Sequence, residues 1–114
     1  MGRYVVQPLA SPAVQARGAL AMLRYDATAT LPTIAAPVLV TAGHLDHMTV
    51  PETGRYIRDQ VPNGRYVELR PGGHMAILEA NERFNEAVAA FVAACSLGST
   101  VPRNATVGSN YPNQ

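Results

Sequence analysis

The chain has no lysine, no tryptophan, one cysteine and two phenylalanines in 114 residues. Each shortage narrows what it can be. All nine cations are arginine, set against eight acidic residues, so the net charge is only +1. With no basic stripe and few aromatics, nucleic acid is not an expected partner. The exclusive use of arginine reads as coding bias rather than mechanism. Cys95 has no partner for an internal disulfide. It lies in an Ala-rich apolar run, where cysteine packs as a small hydrophobe, and no neighbour in sequence activates it as a nucleophile. No run approaches the roughly twenty apolar residues that span a bilayer. Met1-Gly2-Arg3-Tyr4-Val5-Val6 lacks a signal-peptide layout, which makes a cytoplasmic location the expectation. The length allows one small domain, and the 47% apolar content allows a small core.

Against those absences stand two strand-and-turn units. Pro37 opens Val38-Leu39-Val40-Thr41-Ala42, a short apolar run with β-branched residues, closed by Gly43. Such a run is a strand buried on both faces, as in a parallel sheet. Its turn delivers Asp46. Arg65 to Leu69 alternates as a second strand, and Arg70-Pro71-Gly72-Gly73 turns to deliver His74. Between them Pro51 starts a helix to about Val61, with Glu52 at its positive end; Pro62-Asn63-Gly64 stops it.

Ser11-Pro12 caps an earlier helix that runs to about Tyr25, weakened at Gly18. Residues 26–36 form a linker. A final Ala-rich helix spans about 80–94, with Phe84, Val88, Phe91 and Val92 as its apolar face. Residues 96–114 lose all periodicity and are expected to be a disordered tail.

Helix, strand, helix, strand, helix implies a parallel βαβ unit of an α/β fold. Parallel neighbours put the loops after both strands on one rim, so Asp46 and His74 can meet. A carboxylate beside an imidazole is the acid–base pair of a hydrolytic triad. Two strands alone make a poor sheet. The first would keep an open edge, which invites self-association or docking to another chain.

Several bland or rival readings attach to these residues. Asp46 could simply cap the helix at Pro51. His44 and His47 read as loop residues, with shaping of a pocket as the alternative. His44-x-Asp46-His47 is half of a metallo-β-lactamase-type motif, but Ala42 stands where its paired ligand belongs, so no metal is expected. The sequon Asn104-Ala105-Thr106 reads as chance.

Taken in order, Pro37-Val38-Leu39-Val40, Gly43-x-x-Asp46-x-x-Thr49-x-Pro51, Pro71-Gly72-Gly73-His74 and Glu79-x-x-Glu82-Arg83-Phe84-Asn85 resemble the C-terminal part of the α/β-hydrolase superfamily. The likeness covers about residues 11–94. The nearest subgroup is that of small esterases, enol-lactonases and carbon–carbon bond hydrolases. The resemblance implies a serine hydrolase acting on an ester- or lactone-type carbonyl of a small molecule, without a cofactor. Asp46 would be the triad acid and His74 the base. Residues 1–36 would be the end of a lid and a linker, and residues 37–95 a C-terminal βαβα unit.

The family's Gly-x-Ser-x-Gly nucleophile turn precedes the acid and base in chain order, and the 114 residues do not contain it. Ala94-Cys95-Ser96-Leu97-Gly98 comes near the pattern, but at the end of a helix and after the histidine. The expectation is therefore a truncated hydrolase portion, inactive alone. The alternative is a noncatalytic module that docks through its open strand edge.

Overall fold

Hydrophobic continuity in Val38–Gly43 makes β1, and period-two alternation in Gly64–Leu69 makes β2. In the computed structural model, which describes residues 10–98, the two strands pair in parallel, from Val38 opposite Gly64 to Gly43 opposite Leu69. Their carboxyl ends are therefore in register at one rim. Around them run α1 (Pro12–Arg24), a 3₁₀ turn (Leu31–Thr33), α2 (Pro51–Gln60), α3 (Ala76–Glu79) and α4 (Asn81–Ser96). The architecture is a partial α/β fold.

The sheet's alternation assigns one helix to each face. Tyr66 and Glu68 point toward α2, where Glu68 meets Arg55 at 3.0 Å. Gly54 lets α2 come close, since a Cβ there would lie 2.9 Å from the Tyr66 ring and 3.4 Å from Val40. Val67 and Leu69 point the other way and join Ala76, Ala80 and Ala87, with Leu39 and Phe84 packed alongside. Arg65, on the same side, stacks its guanidinium 5.3 Å from the Phe91 ring. Leu69 and Val61 are the most completely buried large side chains. Each contributes about 1.5–3 kcal/mol.

Three details depart from the sequence reading. The centre of the buried face of α4 is Ala87 and Ala94, while Phe84, Val88 and Phe91 are half-buried and Val92 is 55% exposed. Small side chains let the helix backbone approach the sheet, and the larger ones then flank the contact. Cys95 is exposed rather than packed, because it lies one residue beyond Ala94 and so turns to the outer face. Residues 76–79, to which the sequence reading assigned no element, form the short helix α3.

Ser11 caps α1 through Val14 N–H, with Pro12 at its first position. The helix nevertheless buries none of its residues. Among the described residues no helix is long and apolar enough to cross a membrane. The expected tail lies outside the described residues from position 99 onward, as does the sequon at Asn104.

Candidate functional site: an aspartate–histidine pair at the sheet rim

Gly43 ends β1, and the chain turns at once: His44 N–H donates to Leu69 O at 3.2 Å and Leu45 N–H to Gly72 O at 2.9 Å. These bonds stitch the turn after β1 to the turn after β2. The approach is so close that a Cβ on Gly43 would fall 2.1 Å from Gly73 O and 2.7 Å from Gly72 O. Only glycine fits. The Arg70–Pro71 peptide in the second turn is cis.

The stitched turns bring Asp46 and His74 together. His74 Nδ1 lies 3.1 Å from Asp46 Oδ2 and 3.3 Å from Oδ1. Asp46 is only 6% exposed, the one buried charged residue among those described. Its remaining lone pairs are filled locally: Oδ1 accepts Met48 N–H at 2.8 Å and Thr49 N–H at 3.0 Å, and Oδ2 accepts the Thr49 hydroxyl at 2.6 Å. The Thr49 hydroxyl, then the Thr49 N–H, hold the carboxyl well below its ordinary value of 3.8; burial opposes them, and Met48 N–H and His74 add to them. An ionised carboxylate is an acceptor only, so this contact is a hydrogen bond in the tautomer that carries the His74 proton on Nδ1. The imidazole is half exposed.

Asp46 therefore does not cap α2. It organises the 47–49 turn and also faces the histidine. The residue just before α2 is Val50, and that helix start has no side-chain cap.

Beside the pair opens a cavity of about 260 Å³. Its lining includes Asp46, His74, Gly43 and Gly73, the hydroxyl residues Thr41, Thr49 and Thr53, and the apolar Val40, Val50, Ile57, Leu69 and Ile77. Neither His44 nor His47 is among its lining residues; His47 is exposed, and His44 Nδ1 is buried without a hydrogen-bond partner. Among the described residues no three His, Cys, Asp or Glu side chains converge as a metal site would need. Ser96 ends α4 with its hydroxyl donating to Val92 O at 3.0 Å, far in character from a strand–turn–helix nucleophile.

Thr49 carries more of the site than the sequence reading gave it. Its place in Asp-x-x-Thr, where a hydroxyl and an N–H can both reach back to the carboxylate, is the signal.

An aspartate and a histidine brought together on turns at the carboxyl rim of a parallel sheet fit the α/β-hydrolase class. The chain belongs to that superfamily: the family model described as TAP-like protein matches residues 12–105. Among curated proteins, "Polyketide synthase ThaQ" of Burkholderia thailandensis is 40% identical over 72 residues, 63% of this chain and 4% of that protein. "Putative non-heme bromoperoxidase BpoC" of Mycobacterium tuberculosis is 43% identical over 60 residues, 53% of this chain and 23% of that protein. "Putative carbamate hydrolase RutD" of Stutzerimonas stutzeri is 36% identical over 67 residues, 58% of this chain and 25% of that protein. The matches thus span a quarter or less of the curated relatives' lengths. No solved structure matches significantly.

Proposed function

We propose that the chain supplies the acid and base of a serine-type hydrolase acting on an ester- or lactone-type carbonyl. The supporting observation is the 3.1 Å contact between His74 Nδ1 and a buried, fully hydrogen-bonded Asp46. In this reading the nucleophile is a serine outside these 114 residues. His74 Nε2 takes its proton as the hydroxyl oxygen attacks the carbonyl. The same nitrogen then gives that proton to the departing alkoxide, leaving a covalent acyl ester. Water, deprotonated by His74, cleaves the ester and restores the serine. Asp46 holds the imidazole in the correct tautomer and stabilises the imidazolium that forms. No cofactor enters. Residues 37–95 are the unit that carries the pair, and residues 1–36 belong to a lid and its linker. The proposed partner is a small-molecule substrate and the proposed location is cytoplasmic.

The test has two arms. The isolated chain should not turn over p-nitrophenyl esters. Joined to a superfamily segment bearing Gly-x-Ser-x-Gly, it should, and His74→Ala should then cut kcat by about 10⁴-fold or more. Turnover by the isolated chain that survives Ser96→Ala but not His74→Ala would mean a nucleophile within it. Turnover by the joined protein that ignores both His74→Ala and Asp46→Asn would sink the reading.

A second reading rests on β1. Among the described residues it is paired on one side only, and five of its six residues stay half-buried. A noncatalytic module that adds its open edge to another chain's sheet would use that strand. A long-lived stoichiometric complex, with no turnover in the joined protein, would favour it.

A further inference from the structure

We propose that Glu79 is a positioning residue for His74. It holds the peptide group between Gly72 and Gly73 and so fixes the direction in which the turn presents the imidazole. That peptide is pinned at both ends. Its carbonyl, Gly72 O, accepts Leu45 N–H at 2.9 Å, from the turn that carries Asp46. Its N–H, on Gly73, donates to Glu79 Oε2 at 2.5 Å. The two bonds pull on opposite sides of one rigid plane, and His74 follows one residue later.

The need for such a clamp follows from the sequence. Two consecutive glycines have the widest choice of backbone angles, so a Gly-Gly peptide is the easiest in the chain to rotate. Gly72 cannot be replaced to stiffen it, since a Cβ there would lie 2.8 Å from Ala76 Cβ; a Cβ on Gly73 would meet nothing closer than Glu79 Oε2, at 3.5 Å. With glycine at both positions, restraint on this peptide comes from outside the turn. A carboxylate is the strongest acceptor available, since a charged hydrogen bond is about twice as strong as a neutral one. The helix α3 is what brings it there. Glu79 N–H bonds to Met75 O at 3.0 Å and Ala76 N–H to Gly73 O at 3.2 Å, so a single turn of helix folds the side chain back over Gly73. Asp46 grips the imidazole itself, and Glu79 grips the backbone that carries it.

The inference rests on the reading of Asp46 and His74 as an acid–base pair, and NMR on the full chain separates the two. The readouts are the low-field Nδ1–H resonance of His74 and the solvent exchange rate of the Gly73 amide. Asp46→Asn is the control; if it leaves the Nδ1–H resonance in place, the acid–base reading fails, whatever Glu79 does. Glu79→Ala should speed Gly73 exchange by about tenfold or more and broaden or erase the Nδ1–H resonance, with amides of both strands unmoved. Glu79→Gln, which keeps an acceptor oxygen, should restore most of both signals. The proposal is overturned if Glu79→Ala leaves both signals as in the parent. It is overturned equally if Glu79→Ala and Glu79→Gln both shift amides throughout the sheet, which would make the residue a general prop.

Discussion

At the scale of single residues the site is governed by who fills the lone pairs of Asp46. Its carboxyl is held low chiefly by Thr49, so the stability it lends is present above its unfolded value of 3.8 and lost as the pH falls through the lower folded value. Thr49→Val removes the hydroxyl and keeps the shape. The Asp46 carboxyl should then titrate at higher pH in a carbon-detected NMR titration, and the variant should be less stable than the parent at neutral pH, the gap closing in strong acid. An unchanged titration would show that the backbone donors suffice. Gly43 is the second control point. Gly43→Ala should cost about 3 kcal/mol or more, since its clash is with backbone carbonyls that cannot swing away. Urea unfolding measures this, and a loss under about 0.5 kcal/mol would show that the turns can part.

At the scale of elements, α4 reaches the sheet through its alanines. Ala87→Leu should destabilise by about 1–3 kcal/mol through overpacking, whereas Val92→Ala should change stability by less than about 0.5 kcal/mol. Equal effects in thermal or urea unfolding would reverse that assignment. The contrast marks where sequence reading works and where it does not. Pro51 with Glu52 announced α2, and the unbroken apolar run announced β1, because each signal is local. That parallel neighbours share a rim was also legible, and it brought Asp46 near His74 before any coordinates. The short helix α3 was not, because four residues after a Gly turn carry no period to read. The packed face of α4 was legible in Phe84, Val88 and Phe91, but that Ala87 and Ala94 sit deepest on it and that Val92 lies off it was missed for a related reason. Periodicity ranks residues by hydrophobicity, while close approach to a sheet selects for small size. The double role of Thr49 depends on distances within one turn, below what spacing alone resolves.

At the scale of the whole molecule, the core is thin. Among the described residues, two strands with a helix on each face leave one edge of β1 unpaired, and α1 buries nothing. The isolated chain should be marginally stable and should self-associate as concentration rises, seen as a rising sedimentation coefficient. A monomer at all concentrations, unfolding in one sharp transition, would count against the incomplete sheet. The meeting of Gly43 with Gly72 and Gly73 has a wider consequence. Main-chain contacts set the gap between the two turns, and Leu45, Met48, Met75, Ile77 and Leu78, all exposed nearby in sequence, take no part in the Gly43 approach. Exchange of those five side chains would change what the rim presents and leave the approach of the two turns in place.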